Sequence, residues 1–217
     1  MLVDAVEWLG HSGFRISTGG RRIYIDPYRV APAAPGADLI LITHDHYDHF
    51  SPQDIEVLAG EKTELIGPPA VAERLSGHVH SISEGEERES HTIRGVSIRA
   101  IAAYNTSKRG PDGQVFHPRE AGGVGYELNV RGERLYHAGD TDVIPEMDQV
   151  VGVEVALLPV SGTYVMTSGE AAEAARRIQP QVAIPMHWGS QIGTREDAEA
   201  FERQSPVEVR ILERAEP

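Results

Sequence analysis

Residues 43–49 read Thr43-His44-Asp45-His46-Tyr47-Asp48-His49, three imidazoles and two carboxylates in seven positions. Just before them, Ala37-Asp38-Leu39-Ile40-Leu41-Ile42 is a short apolar run bounded by Pro35-Gly36. Its length and β-branched content predict a buried strand. Just after them, Ser51-Pro52-Gln53-Asp54 is a helix start. Ser51 suits the N-cap, Pro52 the first helical position and Asp54 the positive end of the helix dipole. The cluster therefore sits on the turn from a buried strand into a helix. That placement demands a sheet with helices on its faces, where ligand sites gather at the carboxyl ends of strands.

Neutral imidazole and carboxylate are ligands for zinc and related divalent ions. His44 and His46 point to one metal, and Asp48 and His49 to a second. A merely solvated turn would not need so many ligating groups in so short a span. The chain has no cysteine, so thiolates and disulfides play no part and any metal falls to histidine and carboxylate.

The rest of the chain supplies more strand ends. Residues 1–30 read as three short strands, with turns at Gly10-His11-Ser12-Gly13 and Gly19-Gly20 and a stop at Asp26-Pro27. Asp26 is placed either as a hydrogen-bond acceptor for a ligating histidine or as a plain turn residue. Residues 51–82 read as helix, strand, helix, strand, with His78 and His80 on one exposed strand face. Residues 84–89, rich in glutamate, read as a solvated turn. A strand over 96–103 ends at Tyr104-Asn105 and leads into a long polar stretch, 106–123, that contains His117. So long a loop in a compact domain is functional or mobile. A hairpin across Arg131-Gly132-Glu133 runs into His137-Ala138-Gly139-Asp140-Thr141-Asp142. Residues 153–159 and 182–186 read as buried strands, the second ending at His187. Between them, Thr167-Ser168-Gly169-Glu170 is a capping box for a helix stopped by Pro180. A last helix covers 195–204 and a last strand 207–212.

The first cluster resembles the signature of the metallo-β-lactamase superfamily. Trp8-Leu9-Gly10-His11-Ser12-Gly13-Phe14, Ile25-Asp26-Pro27, the stretch from His137 to Asp142 and Ile184-Pro185-Met186-His187-Trp188-Gly189 fit the same pattern. Together they are similar to the branch that also holds ascorbate-6-phosphate lactonase and the phosphatidylethanolamine-directed phospholipases D. The resemblance implies an α+β fold, a four-layer αββα sandwich, as one domain over 1–217. It also implies metal-dependent hydrolysis. The metal ligands it implies are His44, His46, Asp48, His49, Asp140 and His187, with Asp140 bridging two cations. The superfamily commonly supplies one more histidine at the end of the strand that here closes on Tyr104-Asn105. Either His117 reaches back from the long loop, or Asn105 or water takes that position.

The expected activity is that of a hydroxide held by one or two divalent ions, zinc first, with manganese or iron as alternatives. Asp48 and His117 are the expected catalytic groups, and His11, Tyr104 and Asn105 the expected substrate contacts. His137 is expected in the core or behind a ligand. The alternative is a non-catalytic metal-binding or sensor protein on the same scaffold. No nucleotide-binding loop and no Gly-x-Ser-x-Gly elbow competes with this reading. A formal net charge of −13 disfavours nucleic acid as a partner. No apolar run approaches the roughly 20 residues of a membrane span, and no leader is legible at Met1. The expected setting is cytoplasmic and the expected substrate a small soluble ester, lactone or phosphodiester.

Overall fold

The computed structural model describes residues 1–85, 90–190 and 192–215. Part of the glutamate-rich turn expected over 84–89 lies outside the described residues. In chain order the elements are strands β1 (Val6–Gly10), β2 (Gly13–Thr18), β3 (Arg21–Ile25) and β4 (Leu39–Leu41), helix α1 (Pro52–Leu58), β5 (Glu64–Gly67), α2 (Pro69–Ala72) and β6 (His78–Ser81). Then come β7 (His91–Ile93), β8 (Val96–Ala102), β9 (Val124–Val130), β10 (Glu133–His137), β11 (Val155–Pro159), α3 (Ser168–Ile178), β12 (Val182–Met186), α4 (Arg195–Gln204) and β13 (Glu208–Val209).

Two mixed sheets result, one ordered β1-β2-β3-β4-β5-β6 and the other β13-β12-β11-β10-β9-β8-β7. Alternation along the strands sorts the apolar side chains by face. Ile23, Ile25, Leu39, Leu41 and Ile66 join the core between the sheets, while their neighbours Tyr24, Ile40 and Leu65 pack outward with Ile55, Leu58 and Val71 of α1 and α2. On the second sheet, Ala171, Ala174, Ala175 and Ile178 of α3 and Ala198 and Phe201 of α4 join the main core. The layers are therefore helix, sheet, sheet, helix, and the fold is the α+β sandwich expected.

Local chemistry sets the element ends. The Ser51 side chain accepts from Asp54 N–H, and Thr167 with Glu170 closes the capping box that starts α3. Helix α1 ends at Leu58, two residues before the Gly60 expected to end it, with Ala59 already extended. Strand β7 was not legible: three residues of an exposed edge carry little periodic signal.

The parallel neighbours β3, β4 and β5, and β10, β11 and β12, present their carboxyl ends together. The two clusters of strand ends meet: Val124 N–H donates to Thr43 O at 3.0 Å, and His187 N–H donates to His11 O at 2.9 Å. Trp8 stacks on Trp188 with ring centroids 4.4 Å apart. The β1–β2 turn is thereby fixed against the end of β12.

Candidate metal centre

Every histidine that the sequence singles out for the site, and both of its aspartates, converge where these strands end. Asp140 sits at the middle. Its carboxylate is 3.3 Å from His49 Nε2, 3.3 Å from His117 Nε2, 3.2 Å from His187 Nε2 and 4.0 Å from His44 Nε2. It follows β10 through Gly139, which has φ +66°; a Cβ there would lie 2.7 Å from Val124 O. Only glycine lets the chain turn so tightly and bring the carboxylate inward.

The ring orientations follow from what holds each outer nitrogen. Thr43 gives its hydroxyl proton to Asp26 Oδ2 at 2.6 Å, so it accepts from His44 Nδ1 at 3.0 Å. Asp26 also accepts from His49 Nδ1 at 2.7 Å and from Thr43 N–H at 2.8 Å. Asn105 Oδ1 accepts from His117 Nδ1 and from His117 N–H, each at 2.9 Å. Ser161 Oγ pairs with His187 Nδ1 at 2.9 Å. With the four Nδ1 atoms engaged, four Nε2 lone pairs can face Asp140. Outer partners of this kind fix tautomer and ring plane in metal sites.

Three overlapping ligand groups emerge, each with donor atoms within 4.8 Å of one another: His44, His46 and His117; His11, Asp48, His49 and His187; and His44, His49 and Asp140, which joins the first two. In the first, His46 Nδ1 approaches His44 Nε2 at 3.1 Å and His117 Nε2 at 3.2 Å. In the second, His11 Nε2–H donates to Asp48 Oδ2 at 3.0 Å. Asp140 lies against members of both. Strain marks the same place: His11, Asp26 and His187 all hold positive φ, at 53°, 45° and 59°, in a region costly for non-glycine residues.

Electrostatics agree with the hydrogen bonding. Burial drives His44 well below the usual histidine range, helped by His49 beside it, and drives His117 down as well. Burial works against a charge on His49 too, but the Asp140 and Asp26 carboxylates outweigh it and hold the ring well above that range. Burial alone would raise Asp48; the His11 hydrogen bond and nearby His49 reverse this and hold it at about 2. Asp140 is likewise pushed well below the carboxylate range, because His187 and His49 outweigh its burial.

These residues fit divalent cations. His49 Nε2 and Asp140 Oδ1 are buried and face each other without a hydrogen bond. Buried polar atoms without partners are rare and costly. A carboxylate enclosed by inward-facing imidazoles is a donor set for zinc, manganese or iron.

Several expected contacts fall elsewhere. Asn105 was expected to meet substrate, yet it is buried with its Nδ2 donating to Tyr164 O at 2.9 Å and Asp142 Oδ1 at 3.2 Å. Its carbonyl and amide ends are both engaged within the protein, behind His117. Tyr104 turns its hydroxyl to Glu146 at 3.2 Å and lies under the Arg119 guanidinium, away from the centre. His11, expected at substrate, lies at the centre beside Asp48, within the same ligand group. His137 is buried, with Nε2–H donating to Ser12 O at 2.9 Å and Nδ1 accepting from Gly139 N–H at 3.1 Å. It braces the turn before Asp140.

Two supporting residues were missed, Ser161 behind His187 and, further out, Asp142. Asp142 accepts from the backbone N–H groups of Thr106 and Ser107, each at 2.8 Å, and from both their hydroxyls. Lys108 lies 3.5 Å from it and pairs with Glu170 at 2.7 Å. The stretch 106–123, expected to be functional or mobile, is thus tied down at its start, and at its far end by Ala103 N–H on Gly123 O. The signal lay in the Thr106-Ser107 pair facing a lone acid two residues beyond Asp140. Only a known fold could have joined them.

The family model of the β-lactamase superfamily domain matches residues 5–187. A UPF0173 metal-dependent hydrolase of Methanopyrus kandleri is 33% identical, covering 97% of both chains. Another from Thermococcus kodakarensis is 32% identical, again over 97% of each. Among solved structures, a Parabacteroides distasonis protein named as a metal-dependent hydrolase superposes with a TM-score of 0.80 at 34% identity, covering 96% of this chain and 93% of that one. Igni18, a metallo hydrolase of Ignicoccus hospitalis, shares the fold with a TM-score of 0.77 at 24% identity, over 97% and 95% of the two chains. The chain therefore belongs to the β-lactamase superfamily, as one of its metal-dependent hydrolases.

Proposed function

We propose that this protein hydrolyses a small ester, lactone or phosphodiester at a two-ion centre. His44, His46, His117 and Asp140 would hold one ion, and Asp48, His49, His187 and Asp140 the other. The observation that carries the reading is the Asp140 carboxylate, buried within 3.3 Å of three histidine Nε2 atoms from three different strand ends and loops. Divalent ions bound there would lower the pKa of water and polarise the oxygen under attack.

The chain's own residues prepare the rest. Asp48 is kept ionised by His11, so it can hold an ion and orient the attacking water. Asp26, Thr43, Asn105 and Ser161 hold the imidazoles in their inward tautomers before anything binds, which removes reorganisation from the binding step. His46 is exposed and Asp48 half-buried, so the centre is open to solvent on that side. Among the described residues no helix is long and apolar enough to cross a membrane, in keeping with a substrate met in water.

The test is metal content and turnover together. Exhaustive chelation, with removal confirmed by elemental analysis, is expected to abolish hydrolysis of p-nitrophenyl esters and bis(p-nitrophenyl) phosphate. Zinc or manganese is expected to restore it. Full activity in protein shown to be metal-free would end the proposal.

A further inference from the structure

Beside the centre is a cleft whose floor is His44, His46, His117 and Asp140. Its walls come from separate parts of the chain: Pro68 and Ala70 at the start of α2, Phe116 and Pro118 from the loop, and Ala121. Phe116 is set edge-on to Tyr164, with centroids 4.6 Å apart, so its ring is a fixed wall. Proline lacks an N–H, and alanine and phenylalanine side chains offer no polar atom, so these walls give an anion little to bond to. Apart from the centre's own groups, the charged side chain lining the cleft is Asp45, an acid. The nearby cations are committed elsewhere. Arg119 pairs with Glu146 at 2.6 Å, and Arg74 lies over Phe50 and reaches Asp45 itself at 3.4 Å.

Resting on the hydrolase reading above, we infer that this cleft takes a short, uncharged acyl group, with Ala70, Phe116 and Ala121 setting its length. The substrate class is then the carboxylic ester or lactone with an uncharged acyl group. The cleft holds about 70 Å³. A cavity of about 150 Å³ takes benzene, so there is room for roughly three heavy atoms, the propyl chain of a butyryl group. A charge carried at the far end of the chain, away from the ions, would lie against apolar walls and lose hydration without a partner. In the reaction one water is consumed. Its oxygen bonds to the acyl carbon as the bond to the departing oxygen breaks, and its two protons end on the carboxylic acid and the alcohol.

The experiment uses the zinc-loaded protein with a p-nitrophenyl series from acetate to octanoate, and bis(p-nitrophenyl) phosphate beside it. Each added methylene is worth about fourfold in binding, so kcat/KM is expected to climb by about that factor per carbon to butyrate and to fall by octanoate. The diester is expected at least tenfold below the best ester. Ala70→Leu and, separately, Ala121→Leu should move the optimum to acetate with metal content unchanged. A readout free of turnover is saturation-transfer NMR with 2-pentanone, whose signal should drop in both variants. A diester preferred over every ester, or chain-length profiles unmoved in both leucine variants, would overturn the inference while leaving metal-dependent hydrolysis intact. Loss of turnover on the whole panel by fully loaded protein would instead strike the hydrolase reading, and this inference with it.

Discussion

The two halves of the centre are built differently. The half around His49 and His187 stands on buried ground: both rings are at most 1% exposed and Asp26 behind them is fully buried. Asp26 alone receives Thr43 N–H, the Thr43 hydroxyl and His49. The half around His46 and His117 is looser. His46 is exposed, and His117 comes from a loop whose position depends on Asn105 and on the Asp142 contacts. On the proposed function, the first half belongs to the protein's stability and the second is the side that substrate reaches.

The sharpest way to break this comparison is Asp26→Ala. It leaves His49 Nδ1, Thr43 N–H and the Thr43 hydroxyl without their common acceptor in the core. A buried donor left unsatisfied costs about 1–3 kcal/mol, and the variant should also lose metal from both halves. Denaturant unfolding of metal-free protein reads the first effect and elemental analysis the second. A stability within about 0.5 kcal/mol of the parent, the range of ordinary surface changes, would show that the buried half is not the structural one.

The open half predicts the opposite pattern. His46→Ala should weaken metal binding while metal-free stability changes by about 0.5 kcal/mol or less, since that side chain is exposed. Unchanged metal content in that variant would remove His46 from the ligand set.

A smaller effect sharpens the account of the loop. Asn105→Ala frees His117 Nδ1, and loss of such an outer partner typically costs about 10–100-fold in metal affinity. His117→Ala should do at least as much. Competition with a fluorescent chelator measures both. The substitution at Asn105 leaves Asp142 and Tyr164 O short of a donor as well, so some loss of melting temperature should accompany it.

The smallest expected effect concerns pH. Burial tends to raise Glu170, but Lys108 and the Thr167 cap outweigh it and hold the carboxyl below its ordinary 4.5. A depressed folded-state pKa means the contribution is present above pH 4.5 and is lost as pH falls through the lower folded value. The side chain is 38% exposed, so screening keeps the worth of the pair under about 1 kcal/mol. The melting temperatures of the parent and Glu170→Gln should therefore differ at pH 7 and converge below about pH 4. A gap that widens in acid would show that the tie between Lys108 and α3 has another origin.

Much of this protein is legible along the chain because its signals are local. The apolar run before Thr43, the cap at Ser51, the capping box at Thr167 and the turn at Gly139 act within a few residues, so strand ends and helix starts follow from short-range sterics and hydrogen bonding. The density of histidine and aspartate over 43–49 likewise announces metal chemistry wherever the segment ends up. What the chain order cannot hold is the partner of each group. Asn105 and His117 are 12 residues apart, His11 and Asp48 37, and Asn105 and Asp142 37. Which nitrogen of each ring faces inward depends on those distant acceptors. Whether Asn105 meets substrate or stands behind a histidine depends on how the loop 106–123 folds across the strand ends. Composition and spacing set the chemistry available; the packing of two sheets at their carboxyl ends decided which groups meet, because only there do hydrogen bonds and burial join residues far apart in the chain.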